Sequence, residues 1–478
     1  MLFSSMEFVF VFLPTVMGVN LLLPGKAKNY WLLACSLLFY AWGEPSFVFV
    51  MMGSIAFNYV LALLIAGCGE RKGRKKALLA ADVAGNLGLL FVFKYLNFVT
   101  RTLRGWFPGL VPLIPQTSIL LPIGISFFTF QALSYVIDVY RGTPAQKNPA
   151  YLGLYISLFP QLIAGPIVRY STVAEQIEHR TVTVDGFAEG VLTFLRGFNK
   201  KILLANVLGE VADRAFGASE LSTGMAWLGA LCYMLQIYFD FGGYSEMAIG
   251  LGRMLGFRFE KNFDYPYISR TVTEFWRRWH ISLGSWFRDY VYIPLGGSRV
   301  SSRGLLVRNL MVVWLLTGIW HGAEWTFILW GVMYGILITA EKLTGVPRKL
   351  AEPGHGAAKA LYRAFTLLAV LLGWVLFRAE SLSQAGAYLG TMFGLGGAGL
   401  TDNALTVCLR DYRIVMLAGL LCATPLFARL KEKGAGGAEG PRAAAVEAVS
   451  WAVQMALFLV SVGALLMGAH NPFIYFNF

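Results

Sequence analysis

The stretch Met311–Ile338 is apolar almost throughout and holds one histidine, His321, and one acid, Glu324. An ionisable group in such a setting is costly to keep and marks a functional site by default. A neutral imidazole, with an ordinary pKa of ~6.5, can give or take a proton near neutral pH. Glu324 could orient the ring, or simply favour the positive N-terminus of the next helix. The plainer alternative is an imidazole hydrogen-bonded between helices, or held in an interfacial belt with Trp320 and Trp325. The stretch exceeds the ~20 residues of one membrane span. Gly318, Gly322 and Ala323 offer a break, so the expectation is two helices meeting near His321, or one broken helix.

A second candidate, His280, lies in Asn262–Gly297, NFDYPYISRTVTEFWRRWHISLGSWFRDYVYIPLGG. With Thr273–Tyr290 on one helix at ~100° per residue, Phe275, Trp276, Trp279, Leu283, Trp286, Phe287 and Tyr290 fall on one arc. Arg277, Arg278, Ser285, Arg288 and Asp289 take the other side, with Ile281 as the exception and His280 at the arc's edge. Such a helix is expected to lie in the membrane interface instead of crossing it. Gly252–Asn309 holds ten basic residues against four acidic ones. Attraction to lipid headgroups accounts for such a cluster. The sharper reading makes Arg277, Arg278 and Arg288 a docking surface for the phosphates of a donor such as coenzyme A.

The other motifs are weaker. His179 and His355 lie in polar loops and read as solvated, and His470 reads as interfacial. Gly394–Gly399 (GLGGAG) matches the dinucleotide fingerprint in letters, but that fingerprint needs a preceding strand and a following helix. Here it is a Gly-rich loop between apolar runs. Cys35, Cys68, Cys232, Cys408 and Cys422 show neither a CxxC pair nor zinc spacing. They read as reduced core residues, so no metal site and no resident cofactor are expected.

The composition sets the class of scaffold that must hold these side chains. Of 478 residues, 56% are apolar and 14% charged, against roughly 25% charged in an ordinary soluble protein. A soluble chain could not hide that much apolar surface. Aromatic residues make up 15% and the mean hydropathy is +0.59. Apolar runs of ~20 residues, not ~10-residue alternating strands, mark an all-α polytopic integral membrane protein. Thirteen such stretches, with eleven as a lower count, run from Met6–Leu23 to Val449–Met467. Tyr30–Trp42 and Tyr151–Val168 are short enough to be re-entrant or to cross a thinned bilayer.

The net charge of +13 sits mainly between apolar runs, which points to anionic lipid and not to nucleic acid. Lys26 and Lys28, then Glu70–Lys76, place the first and third loops in the cytoplasm and the amino terminus outside. The first run reads as a retained span. Val346–Ala358 and Lys431–Ala445 are the best linker candidates. The simplest organisation is one membrane domain over residues 1–478, with its core at about 118–345.

At this point the sequence resembles the membrane-bound O-acyltransferase family, and within it the bacterial branch that includes the membrane subunit of alginate O-acetylation. The matching pieces are PIGISFFTFQALSYVIDVYRG (Pro122–Gly142), FPQLIAGPIVRY (Phe159–Tyr170), FDFGGYSEMAIGLGRMLG (Phe239–Gly256) and the Asn262–Gly297 segment. LTGIWHGAEWTFILWG (Leu316–Gly331), GWVLFRAESL (Gly373–Leu382) and FIYFNF (Phe473–Phe478) follow in order. The resemblance implies that His321 in WHGAEW is the principal catalytic residue and His280 in WRRWHISL the second. Glu324, Trp320 and Trp279 are implied as supporting residues.

The activity implied is acyl transfer across the membrane. A thioester donor, acetyl-CoA, would meet an acceptor hydroxyl from the opposite face inside an aromatic-walled tunnel that excludes water. The resemblance also implies an extracytoplasmic acetyl-accepting transferase as partner, within a polysaccharide biosynthesis or secretion complex of the bacterial inner membrane. Peptidoglycan O-acetylation and teichoic-acid D-alanylation use the same chemistry. A proton-relaying transporter and a non-catalytic scaffold are the readings from other classes.

Overall fold

The computed structural model describes residues 1–163, 165–350, 354, 356–396, 399–435, 440–468, 471 and 473–474. His355, His470 and the last four residues of FIYFNF lie outside them. Among the described residues the regular structure is helical, with no strand. Among the described residues six helices are long and apolar enough to cross a membrane: Phe47–Ala66, Lys72–Trp106, Arg303–His321, Trp325–Thr344, Gly356–Arg378 and Pro441–Leu466. The pair Arg413–Cys422 and Leu426–Ala435, bent by 63°, makes a seventh if counted as one span. The protein is therefore a multi-pass helical membrane protein.

Fewer helices pass that test than the thirteen apolar stretches expected. Tyr151–Val168 is not one helix; Pro149–Ser157 and Phe159–Leu162 occupy it. Helix Ile125–Arg141 buries Ser126, Thr129, Gln131 and Ser134 together with its apolar residues. A helix buried all round faces protein, and hydropathy scores protein-facing and lipid-facing side chains alike.

The chain forms two compact units, Met1–Val191 with Ala248–Glu260, and Leu192–Met247 with Lys261–Phe478. In the first unit, helices Phe47–Ala66 and Lys72–Leu90 are locked by two buried amides. Asn58 Nδ2 donates to Asn86 Oδ1 at 3.2 Å, and Asn86 Nδ2 returns a bond to Asn58 Oδ1 at 3.0 Å. An unsatisfied polar group in hydrocarbon costs several kcal/mol, so this exchange specifies the register.

The second unit carries both candidate histidines. Its helices are labelled here in chain order: α1, Thr223–Met254, belonging to this unit as far as Met247; α2, Val272–Arg278; α3, Ile281–Phe287; α4, Arg303–His321; α5, Trp325–Thr344; α6, Gly356–Arg378; and α7, Leu382–Met392. Small residues let α4 and α5 approach backbone to backbone. A Cβ on Gly318 would lie 2.5 Å from the Phe327 carbonyl oxygen, and one on Gly331 2.5 Å from that of Trp314. Gly373 of α6 similarly leaves room for the Tyr334 hydroxyl of α5, which a Cβ would meet at 2.5 Å. The three helices are held at close range around the end of α4.

Candidate active site

The break expected near His321 is present. Helix α4 ends on His321, Gly322 to Glu324 turn the chain, and α5 begins at Trp325. Gly322 is required by space, since a Cβ there would fall 2.2 Å from the Phe327 ring. His321 is buried, and three rings pack around it nearly edge-on. Trp320, Trp330 and Phe377 lie at centroid distances of 5.0, 5.0 and 5.2 Å. Glu324 is half-buried at the N-cap position of α5, where its charge favours the helix N-terminus.

The second segment departs from expectation in an informative way. Thr273–Tyr290 is not one continuous helix: α2 stops at Arg278, His280 takes a left-handed backbone conformation (φ 46°), and α3 starts at Ile281. That conformation costs a non-glycine residue roughly 1–2 kcal/mol. Asn262 compensates. Its carbonyl oxygen accepts from Ile281 N–H at 2.9 Å, replacing the bond a continuing helix would have made. The amphipathic sorting survives the break: Phe275, Trp279, Leu283, Trp286 and Phe287 are buried, while Arg277 and Arg288 are exposed.

The Asn262 side chain also settles the His280 tautomer. Its Oδ1 lies 3.2 Å from Ser282 backbone N–H, 2.9 Å from Ser282 Oγ and 3.2 Å from His280 Nδ1. A backbone N–H only donates, so the atom facing these groups is the amide oxygen. His280 Nδ1 must therefore carry the proton, which leaves the lone pair on Nε2. Burial of this residue, which lies outside the spanning helices, pushes the imidazole pKa down to about 3. The ring is neutral across the physiological range.

The two histidines share a neighbour. The His280 ring centre lies 6.0 Å from Trp320 and His321 lies 5.0 Å from the same indole, so the imidazoles are at most about 11 Å apart. Phe241 packs edge-on against His280 at 4.7 Å. Trp279 is buried between Phe275 (5.6 Å) and Trp374 (4.8 Å), and so supports the wall near His280. Of the sequence-selected residues, His280, His321, Trp320 and Trp279 thus join one aromatic cluster.

The arginines do not join it. Arg278 binds Glu274 and Asp264, each at 3.1 Å. Arg288 pairs with its neighbour Asp289 at 2.7 Å. Arg277 is exposed and, with Arg270, Thr273, Glu274 and Pro347, lines a groove of about 290 Å³.

Two contributors went unnoticed in the sequence. Asn262 opens the singled-out segment but carried no signal of its own. Glu341, near the end of α5, is buried and accepts the N–H groups of Val272 and Thr273 at 2.8 Å each and the Tyr362 hydroxyl at 3.1 Å. It therefore anchors the start of α2, the helix leading to His280. An acid near the end of an apolar span was the available clue.

In the second unit of this multi-pass helical membrane protein, two buried histidines converge on one indole. The chain belongs to the membrane-bound O-acyltransferase (MBOAT) family, whose model matches residues 146–378, and it is an O-acyltransferase. It is 41% identical to the probable alginate O-acetylase AlgI of Azotobacter vinelandii, with 100% of both chains covered. It is 40% identical to the protein of the same name from Pseudomonas aeruginosa, again over 100% of both. A peptidoglycan O-acetyltransferase of Helicobacter pylori is 35% identical over 84% of this chain and 81% of that one.

Proposed function

We propose that the protein transfers an acetyl group from acetyl-CoA to an acceptor hydroxyl at the extracytoplasmic side, for O-acetylation of an alginate-like exopolysaccharide. The observation that carries this reading is the convergence of His280 and His321 on Trp320 within a buried aromatic shell. Full-length similarity to alginate O-acetylases supports the choice of polymer. The proposed setting is the bacterial inner membrane, with an extracytoplasmic acetyl-accepting transferase as partner in a polysaccharide secretion complex.

In the proposed reaction His321 acts as general base. It takes the proton of the acceptor hydroxyl as the oxygen attacks the thioester carbonyl. The tetrahedral intermediate collapses with cleavage of the carbon–sulfur bond. The imidazolium returns its proton to the departing coenzyme A thiolate, leaving an acetyl ester and a free thiol. His280, held neutral with its lone pair on Nε2, positions the reacting groups across Trp320. The aromatic walls keep out water that would hydrolyse the thioester. On the donor side, Arg277 and Arg270 offer cations to the coenzyme A phosphates at the groove beside Pro347.

His321→Ala tests the assignment. The expected variant is folded and membrane-inserted, with polymer-bound acetyl ester reduced at least a hundredfold. Wild-type ester content would remove His321 as the base. The Helicobacter relative favours peptidoglycan as the second candidate acceptor; assaying ester in isolated peptidoglycan and in exopolysaccharide separates the two.

A further inference from the structure

A cavity of about 460 Å³ in the second unit has no part in the mechanism above. Its size falls in the ~300–1,000 Å³ range of small-molecule sites. Phe216 and Tyr388 form one wall, and Ser219, Glu220, Gln384 and Thr391 supply polar groups. The wall is fixed in place. Phe216 and Tyr388 stack at 4.1 Å and 9°, and the Tyr388 hydroxyl donates to the Ala226 carbonyl at 2.9 Å. Gly229 of α1 makes room for it, because a Cβ there would lie 2.6 Å from that hydroxyl oxygen. Gln384 Nε2 donates to the Phe216 carbonyl at 3.3 Å.

Arg378 also packs on Phe216, its guanidinium carbon 5.6 Å from the ring centre, and binds Asp213 at 2.8 Å. Arg378 is the last residue of α6, and the residue before it, Phe377, packs against His321 at 5.2 Å. The cavity, Phe216, Arg378, Phe377 and His321 therefore form a contiguous series inside one unit. The groove lined by Arg270 and Arg277 lies by Pro347, just past the other end of α5. Those 20 residues of α5 rise ~30 Å, about the thickness of a bilayer's hydrocarbon.

We infer that this cavity receives the hydroxyl-bearing end of the acceptor, with the Arg378–Asp213 pair as the gate between it and His321. The inference rests on the acetyl-transfer reading above. Glu220, Gln384, Ser219 and Thr391 are suited to binding hydroxyls, and the Glu220 carboxylate repels the phosphates of the donor. Donor and acceptor would thus enter at opposite ends of α5. The gate is easily opened, since an ion pair with both partners about a third solvated is weakly held.

The test places a removable plug in the full-length protein. Ser219 is exposed at the cavity, so Ser219→Cys should fold normally. It is then labelled with a bulky sulfonated methanethiosulfonate, with wild type as the control for the native cysteines. Cells are pulsed with labelled acetate, and hydroxylamine-releasable acetyl ester in the polymer is counted. Acetyl-CoA binding is measured on membranes from the same cells. The expected result is at least a tenfold loss of ester on labelling, recovery on reduction with dithiothreitol, and unchanged acetyl-CoA binding. Undiminished ester in the labelled variant overturns the inference, as does a parallel loss of acetyl-CoA binding, which would assign the cavity to the donor. If His321→Ala abolishes ester formation while the labelled variant keeps it, the acceptor site fails and the acetyl-transfer reading stands. If His321→Ala retains ester formation, the reading itself fails.

Discussion

Replacing Asn262 by Leu would remove the one atom that three donors share. Ser282 N–H, Ser282 Oγ and His280 Nδ1 all lie within 3.2 Å of its Oδ1. A buried donor left without its acceptor costs about 1–3 kcal/mol. The Ser282 share of that cost appears in stability. The His280 share appears in catalysis, because the lone pair is no longer confined to Nε2. At 1.36 kcal/mol per tenfold, about 1–3 kcal/mol corresponds to a rate loss of roughly 5- to 150-fold. The assay is acetyl-CoA-dependent ester formation by membranes, with the donor KM measured alongside. The expectation is a fall in kcat of that size with the donor KM within about twofold. Asn262→Asp keeps the acceptor and adds a negative charge, so it should raise the His280 pKa from about 3. Its acid limb of activity should then move toward neutral pH. Wild-type kcat in a folded Asn262→Leu variant would refute the tautomer argument.

Three further outcomes follow from the same geometry. Glu341→Gln should weaken the charge-assisted bonds to Val272 and Thr273, lowering stability by about 1.5–3 kcal/mol in thermal unfolding of the detergent-solubilised protein. Gly322→Ala should push the Phe327 ring, which packs on Phe377 at 4.9 Å, at an overpacking cost of about 1–3 kcal/mol. Its ester formation should fall at least tenfold, and adding Phe327→Leu should restore part of it. Replacing both Arg270 and Arg277 by Gln should raise the acetyl-CoA KM and flatten its salt dependence, read from initial rates at two ionic strengths.

The stability of the His280 region carries its own pH signature. A folded-state pKa near 3 lies below the unfolded value of ~6.5, so the unfolded chain binds the extra proton first. Stability is therefore full above about pH 6.5 and declines as pH falls toward about 3.

Much of this protein is legible in the chain read alone. Low charge and long apolar runs determine a helical membrane protein, because no other environment tolerates that composition. The small residues at Gly318, Gly322 and Ala323 foretell a break at His321, and the aromatic arc foretells the burial of Phe275, Trp279, Leu283, Trp286 and Phe287, while its members Trp276 and Tyr290 stay half-buried. Tertiary structure decided the remainder. Whether an apolar helix such as Ile125–Arg141 faces lipid or protein depends on its neighbours, which hydropathy does not encode. The interruption of the WRRWH helix depends on Asn262, a residue 18 positions upstream of His280, accepting bonds that a helix would have made internally. The convergence of His280 and His321 on Trp320, and the anchoring of α2 by Glu341 from 69 residues away, are likewise long-range contacts. Periodicity within a segment reports the face a side chain takes, but only packing between segments brings two such faces together.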